Sequence, residues 1–193
     1  MGKLKEHWLF FVFFIGLIIF YCWGISLVPF HPDESTQIYM SQDFIDYFTD
    51  PLSLSYQPDN TLTPKMRYRA IDAPLTRYLI GSSRFIFSVP NQKADWDWAA
   101  DWSVNQENGA LPSPSHLFIS RLFPSILTLT SISLCYFSYT KLLPKWLALV
   151  SVIYLGLNPL LLLHGRRAMA EPFLFFGISL FIWLISKQID NPL

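Results

Sequence analysis

The sequence has no net charge at neutral pH, and only 15% of its 193 residues are charged. No polybasic arm or acidic tail stands out, so nothing argues for nucleic acid or for a strongly charged partner. It has two cysteines, Cys22 and Cys135, both inside apolar runs where a thiol behaves as a small hydrophobe. Neither a disulfide framework nor a thiolate metal site follows from them, and the redox compartment stays open. There is no Gly-rich phosphate loop, nucleophile elbow or Cys-x-x-Cys pair, which leaves soluble nucleotide chemistry and redox chemistry without support. His31, His116 and His164 lack a paired spacing such as His-x-x-x-His, so the metal signal is weak. Internal repeats are absent as well. What the chain has in quantity is apolar: 52% hydrophobic and 17% aromatic, too much for a typical water-soluble domain of this length. A bilayer is its natural solvent.

Trp8 to Val28 form an uncharged run, and a helix needs roughly 20 residues to cross the hydrocarbon core. A cleaved signal peptide is disfavoured because the run is too long and lacks an Ala-x-Ala-like exit. Three further apolar runs follow a long polar stretch: Leu122 to Thr140, Trp146 to Leu163, and Pro172 to Ser186, the last extended by Ala168 to Glu171. The expected fold is therefore an all-α multi-pass membrane protein in one membrane domain. It would have about four transmembrane helices, near 8–28, 118–140, 146–163 and 168–186, and a large outer loop over 29–117. Lys3, Lys5, Lys141, Lys145 and Lys187 satisfy the positive-inside rule if both termini are cytoplasmic. Arg166 and Arg167, between the third and fourth spans, break that rule, which points to a use for them on the outer side.

The outer loop carries more acid than base and a cluster of Trp96, Trp98 and Trp102, which reads as folded material against the membrane surface. Pro32 to Phe48 has Met40, Phe44, Tyr47 and Phe48 at helical spacing, and Pro74 to Phe87 has Leu75, Leu79, Ile80, Phe85 and Ile86. Both suit amphipathic helices in the interface plane, the second with Arg77 and Arg84 reaching headgroups. Tyr56 to Arg69, with Pro58, Pro64 and a basic trio, lies between them; Asn91 to Pro114 is the most irregular part.

Asp33 and Glu34 follow the first span closely, at the outer membrane face. One reading is a general base that takes the proton of an acceptor hydroxyl while a lipid-borne donor presents its anomeric carbon. The other is a helix cap, which position alone favours. Arg121 lies near the start of the second run, and His164, Arg166, Arg167 and Glu171 ring the turn between the third and fourth. Charges at membrane depth mark function by default, and the guanidinium fork matches phosphate, so an anionic lipid phosphate is the obvious ligand. Against this stand snorkelling of Arg121 and a salt bridge from Arg166 or Arg167 to Glu171 that only closes a hairpin.

Four segments in order carry a resemblance: His-Pro-Asp-Glu at 31–34, Asp-Ala-Pro-Leu-Thr-Arg-Tyr-Leu-Ile-Gly at 72–81, Ser-Arg-Leu-Phe-Pro-Ser-Ile-Leu at 120–127, and Asn-Pro-Leu-Leu-Leu-Leu-His-Gly-Arg-Arg-Ala-Met-Ala-Glu-Pro at 158–172. Together they resemble the N-terminal region of the GT-C fold glycosyltransferases, of the protein O-mannosyltransferase and lipid A aminoarabinose transferase types. The resemblance implies an inverting transfer of a sugar from a polyprenyl-phosphate carrier to an acceptor on the outer or luminal face of a cell membrane or endoplasmic reticulum-type membrane. It implies Asp33 as the base with Glu34 beside it, and Arg121, Arg166, Arg167 and Glu171 at the donor phosphate. Asp72 and His164 would be supporting residues. Asp-Ala-Pro-Leu departs from the family's usual pair of prolines. Family members also have more membrane helices, so a second chain is expected to supply those missing here. No organic cofactor is implied, and a divalent metal is left open. The alternative is a noncatalytic membrane protein that binds polyprenyl phosphate or scaffolds a glycosylation complex.

Overall fold

The computed structural model describes residues 7–55, 63–72 and 74–190, apart from the side chains of Ile189 and Asp190; Lys3, Lys5 and Pro58 of the sequence reading lie outside this set. All regular structure among the described residues is helical. The elements are α1 (Trp8–Gly24) with a 3-10 turn (Ile25–Leu27), α2 (Pro32–Met40), α3 (Asp43–Thr49), a 3-10 turn (Pro51–Leu54), α4 (Pro64–Ile71), α5 (Pro74–Ile86), α6 (Trp102–Glu107), α7 (Pro114–Leu142), α8 (Lys145–Gly156), α9 (Pro159–His164) and α10 (Glu171–Asp190). Two of them, Trp8–Leu27 and α7, are long and apolar enough to cross a membrane. The third expected span is divided. Asn158 caps a new helix by accepting the Leu160 and Leu161 N–H groups on its Oδ1, and Pro159 takes the first helical position, where its missing N–H costs nothing. The fourth begins at Glu171 rather than 168.

Contacts divide the chain into two compact units. The apolar unit comprises the described residues of Met1–Val28, Ser125–Arg167 and Glu171–Leu193, and the polar unit comprises those of Pro29–Pro124 and Ala168–Ala170. In the apolar unit one face of α1 packs inward through Phe10, Leu17 and Tyr21 onto Ile132, Tyr136, Ala148 and Val152. Phe10 stacks on Tyr136 with ring centroids 3.9 Å apart, and Tyr136 Oη shares a 2.8 Å hydrogen bond with His7. Gly156 allows α8 its approach, since a Cβ there would meet Leu17 at 3.0 Å. The opposite face of α1, Trp8, Val12, Ile15, Ile19 and Trp23, is exposed and uncharged, as a helix surrounded by lipid requires.

The polar unit departs from the sequence reading in three places. The expected helix from Pro32 to Phe48 is two, because Ser41 turns its hydroxyl back onto the Ile38 carbonyl and ends α2 before α3 starts. The proline-rich stretch holds α4, opened by Thr63 accepting the Met66 N–H at 3.4 Å with Pro64 behind it. Most consequentially, the arginines of α5 turn inward rather than outward. Arg77 and Arg84, expected to reach headgroups, are buried, while Leu75, Phe85 and Ile86 stand 66%, 64% and 61% exposed. Two contacts fix that rotation: Asp43 draws in Arg77 Nε at 3.1 Å, and Gly81 lies so close to Ser41 and Phe44 that a Cβ would come within 2.4 Å of them. Residues 91–114 are largely irregular, as expected, around Asn105, whose side chain takes the Asp97 N–H at 2.8 Å and returns a bond to the Asp97 carbonyl at 2.9 Å.

Candidate functional site

The polar unit is built around one carboxylate. Glu34 is the third residue of α2, where a carboxylate is favoured by the helix dipole and can reach back to the cap. Its Oε2 accepts the His31 N–H at 3.1 Å and Arg121 Nη2 at 2.6 Å; its Oε1 accepts Arg121 Nε at 2.7 Å and the Ala168 N–H at 2.8 Å. The two side chains are 0% and 1% exposed. Arg121 Nη2 also reaches the Pro29 carbonyl at 3.3 Å. Four donors on one carboxylate, two of them from a bidentate guanidinium, satisfy a charge that would be prohibitive to bury alone. The pair ties 29–34, 121 and 168 together.

Asp33 sits one residue earlier on the same turn and points outward, with a side chain 52% exposed. Its backbone N–H is bonded to His31 Nδ1 at 3.2 Å, and its carboxylate lies 3.5 Å from that same nitrogen. One Nδ1 cannot serve both: the cap needs a lone pair there, the ion pair a proton. The cap, on a backbone donor with no helical partner, requires Nδ1 as the acceptor, and in that tautomer His31 makes no ion pair with the Asp33 carboxylate.

The other sequence-predicted residues fall into two groups. In the polar unit Asp72 accepts Gln37 Nε2 at 2.9 Å, bracing α2 against the end of α4. In the apolar unit His164 and Glu171 approach to 3.5 Å, a contact that becomes an ion pair only when His164 is protonated. Both help to line a cavity of about 420 Å³ walled mainly by Leu155, Leu161 and Phe175. Arg166 lies over the rings of Phe20 and Tyr21 at 5.3 and 5.1 Å and donates to the Leu162 carbonyl at 2.7 Å. Gly24 makes room for it, since a Cβ there would fall 1.4 Å from Arg166 Nη1. Burial lowers the Arg166 pKa below the usual arginine value. Arg167 is buried and its N–H bonds the His164 carbonyl at 3.2 Å. Among the described residues no group of three His, Cys, Asp or Glu is placed to hold a metal ion.

Sequence reasoning missed a second buried ion cluster. Asp43 receives both Arg69 Nε at 3.0 Å and Nη2 at 2.7 Å, with Arg77 at 3.1 Å on Oδ2. The available signal was an acid at the first turn of a helix followed by a basic trio, which fixes no pairing by itself. No protein-family model matches the chain, and no curated protein or solved structure matches it either.

Proposed function

We propose that the chain is a glycosyltransferase module of the GT-C type that moves a sugar from a polyprenyl-phosphate carrier to an acceptor hydroxyl on the outer or luminal face of a membrane. The observation that carries this reading is the contrast between neighbours: Glu34 is buried and saturated with donors, and Asp33, on the same locked turn, is an exposed carboxylate. A base must be both held and reachable, and this turn provides both. Asp33 takes the acceptor proton, the acceptor oxygen bonds to the anomeric carbon, and the carbon–oxygen bond to the carrier breaks with inversion. The electron pair leaves on the polyprenyl phosphate, the group for which Arg166 and Arg167 are proposed. Glu34 and Arg121 become positioning residues that hold the turn. His164 and Glu171 lie at an apolar cavity suited to a lipid chain, and Asp72 braces α2. In this reading α8 with α9, and α10, are the third and fourth membrane passes, both termini face the cytoplasm, and the exposed Phe85 and Ile86 face of α5 rests in the interface.

The apolar cavity beside His164 and Glu171 also suits one competing reading, in which the chain binds carrier lipid without catalysis. Membranes containing the full chain, alone and with its genomic neighbours, are incubated with radiolabelled polyprenyl-phosphate sugars. Transfer that survives Asp33→Glu in part, is lost in Asp33→Asn, and falls in Arg167→Ala supports the enzyme. Carrier binding with no transfer in any combination, by a folded and inserted chain, supports the binder.

A further inference from the structure

Among the described residues Arg84 is a buried cation without a counter-ion. The residue is 3% exposed, and its partners among the described residues are two neutral oxygens: Ser41 Oγ on Nη1, and the Val89 carbonyl at 3.5 Å on Nη2, the far limit of a hydrogen bond. Its Nε has no acceptor. Burial lowers its pKa to about 10, which still leaves it charged at neutral pH. The contrast within the unit is plain, because Arg121 has Glu34, and Arg69 and Arg77 share Asp43.

The surroundings add donors. His116, on the first turn of α7, lies close enough for the Arg84 charge to bear on it, and its buried Nε2 has no partner. One turn on, the Ser120 hydroxyl is buried and unpartnered as well, at a spacing that places it on the same face of α7 as His116. The two helices meet here, since Ser83 Oγ, the neighbour of Arg84, donates to the Ile119 carbonyl at 3.0 Å. Ser41 already spends its proton on the Ile38 carbonyl. A guanidinium N–H, an imidazole nitrogen that donates in one tautomer, and a hydroxyl that can turn are thus left without acceptors among the described residues, on two helices that meet at Ser83 and Ile119. A water would satisfy some of them but would add two donors of its own and no charge. An acceptor-only species that carries negative charge satisfies all three and neutralises the arginine.

We infer that the junction of α5 with the start of α7 binds one small inorganic anion, chloride or a free phosphate, on Arg84 Nε with His116 and Ser120. The near-complete burial of Arg84 argues for a free ion of that size over a lipid headgroup. This site is separate from Asp33 and does not depend on the transferase reading.

The test is thermal unfolding of the full chain in neutral phosphatidylcholine nanodiscs. The buffer is gluconate at constant ionic strength, into which chloride or inorganic phosphate is titrated, with a parallel set containing phosphatidylglycerol. The wild type is expected to gain Tm saturably with chloride or phosphate and to gain nothing from phosphatidylglycerol alone. In Arg84→Met the response disappears, and in Ser120→Ala the midpoint concentration rises on the order of tenfold, the effect of one lost hydrogen bond to an ion. If Arg84→Met does not fold, Ser120→Ala and His116→Leu carry the test. A wild-type Tm indifferent to both ions, a response unchanged in the folded variants, or stabilisation by phosphatidylglycerol alone would overturn the inference.

Discussion

Replacing Arg121 by methionine keeps much of its volume and removes the two strongest bonds to Glu34. The carboxylate would retain the N–H groups of His31 and Ala168, but it would be a fully buried charge with no opposite charge beside it. Breaking a buried pair from one side costs about 3–5 kcal/mol. Glu34→Gln leaves the converse fault, a buried guanidinium that has lost the Glu34 carboxylate, and should cost a similar amount. The double variant removes both charges and is expected to recover roughly 2–3 kcal/mol of the sum of the single losses. Unfolding in lipid nanodiscs, followed by tryptophan fluorescence and by denaturant midpoint, gives the three differences needed for the cycle. Additive losses, with a coupling below about 0.5 kcal/mol, would show that the pair does not organise the polar unit and would refute the reasoning.

Two further outcomes follow from particular contacts. Gly81→Ala places a methyl 2.4 Å from the Ser41 carbonyl, a backbone atom that cannot swing aside, so it should destabilise by about 1–3 kcal/mol in the same assay; an unchanged midpoint would mean that α5 does not pack where described. Burial, followed by the neighbouring Asp95 carboxylate, raises the Tyr68 phenol to about 12. Its contribution to stability is therefore complete below pH 10, the ordinary tyrosine value, and lost as pH rises through 12. Ultraviolet titration of the wild type against Tyr68→Phe checks this, and Asp95→Asn should lower the midpoint.

The ends of helices were more legible than their rotations. His-Pro-Asp-Glu announced the start of α2 through Pro32 at the first position and two acids in the first turn, and Pro74 to Phe87 gave α5 almost to the residue. The division at Asn158 was missed although its signal was there: an asparagine followed by proline is a cap and a first helical residue, hidden by the unbroken leucines beyond it. What the sequence could not disclose was pairing across distance. Glu34 and Arg121 are 87 residues apart, and both a helix cap and a snorkelling arginine account for them separately. The burial of the α5 arginines was missed for a related reason. An arginine on an interfacial helix can reach headgroups or turn inward, and deciding for Arg77 required knowing that Asp43, on another helix, waits there.

The exposed apolar residues of α5 and its inward arginines change what the polar unit would be on its own. A fragment chosen on charge alone would run from Pro29 to Pro124. In water such a fragment would display Phe48 and Phe85, joined through the Phe44 ring at 5.3 and 6.0 Å, as one continuous adhesive surface, with Arg77, Arg84 and Arg121 hidden where they confer no solubility. Colloidal behaviour here is set by which way a helix has rolled rather than by how many charges it carries.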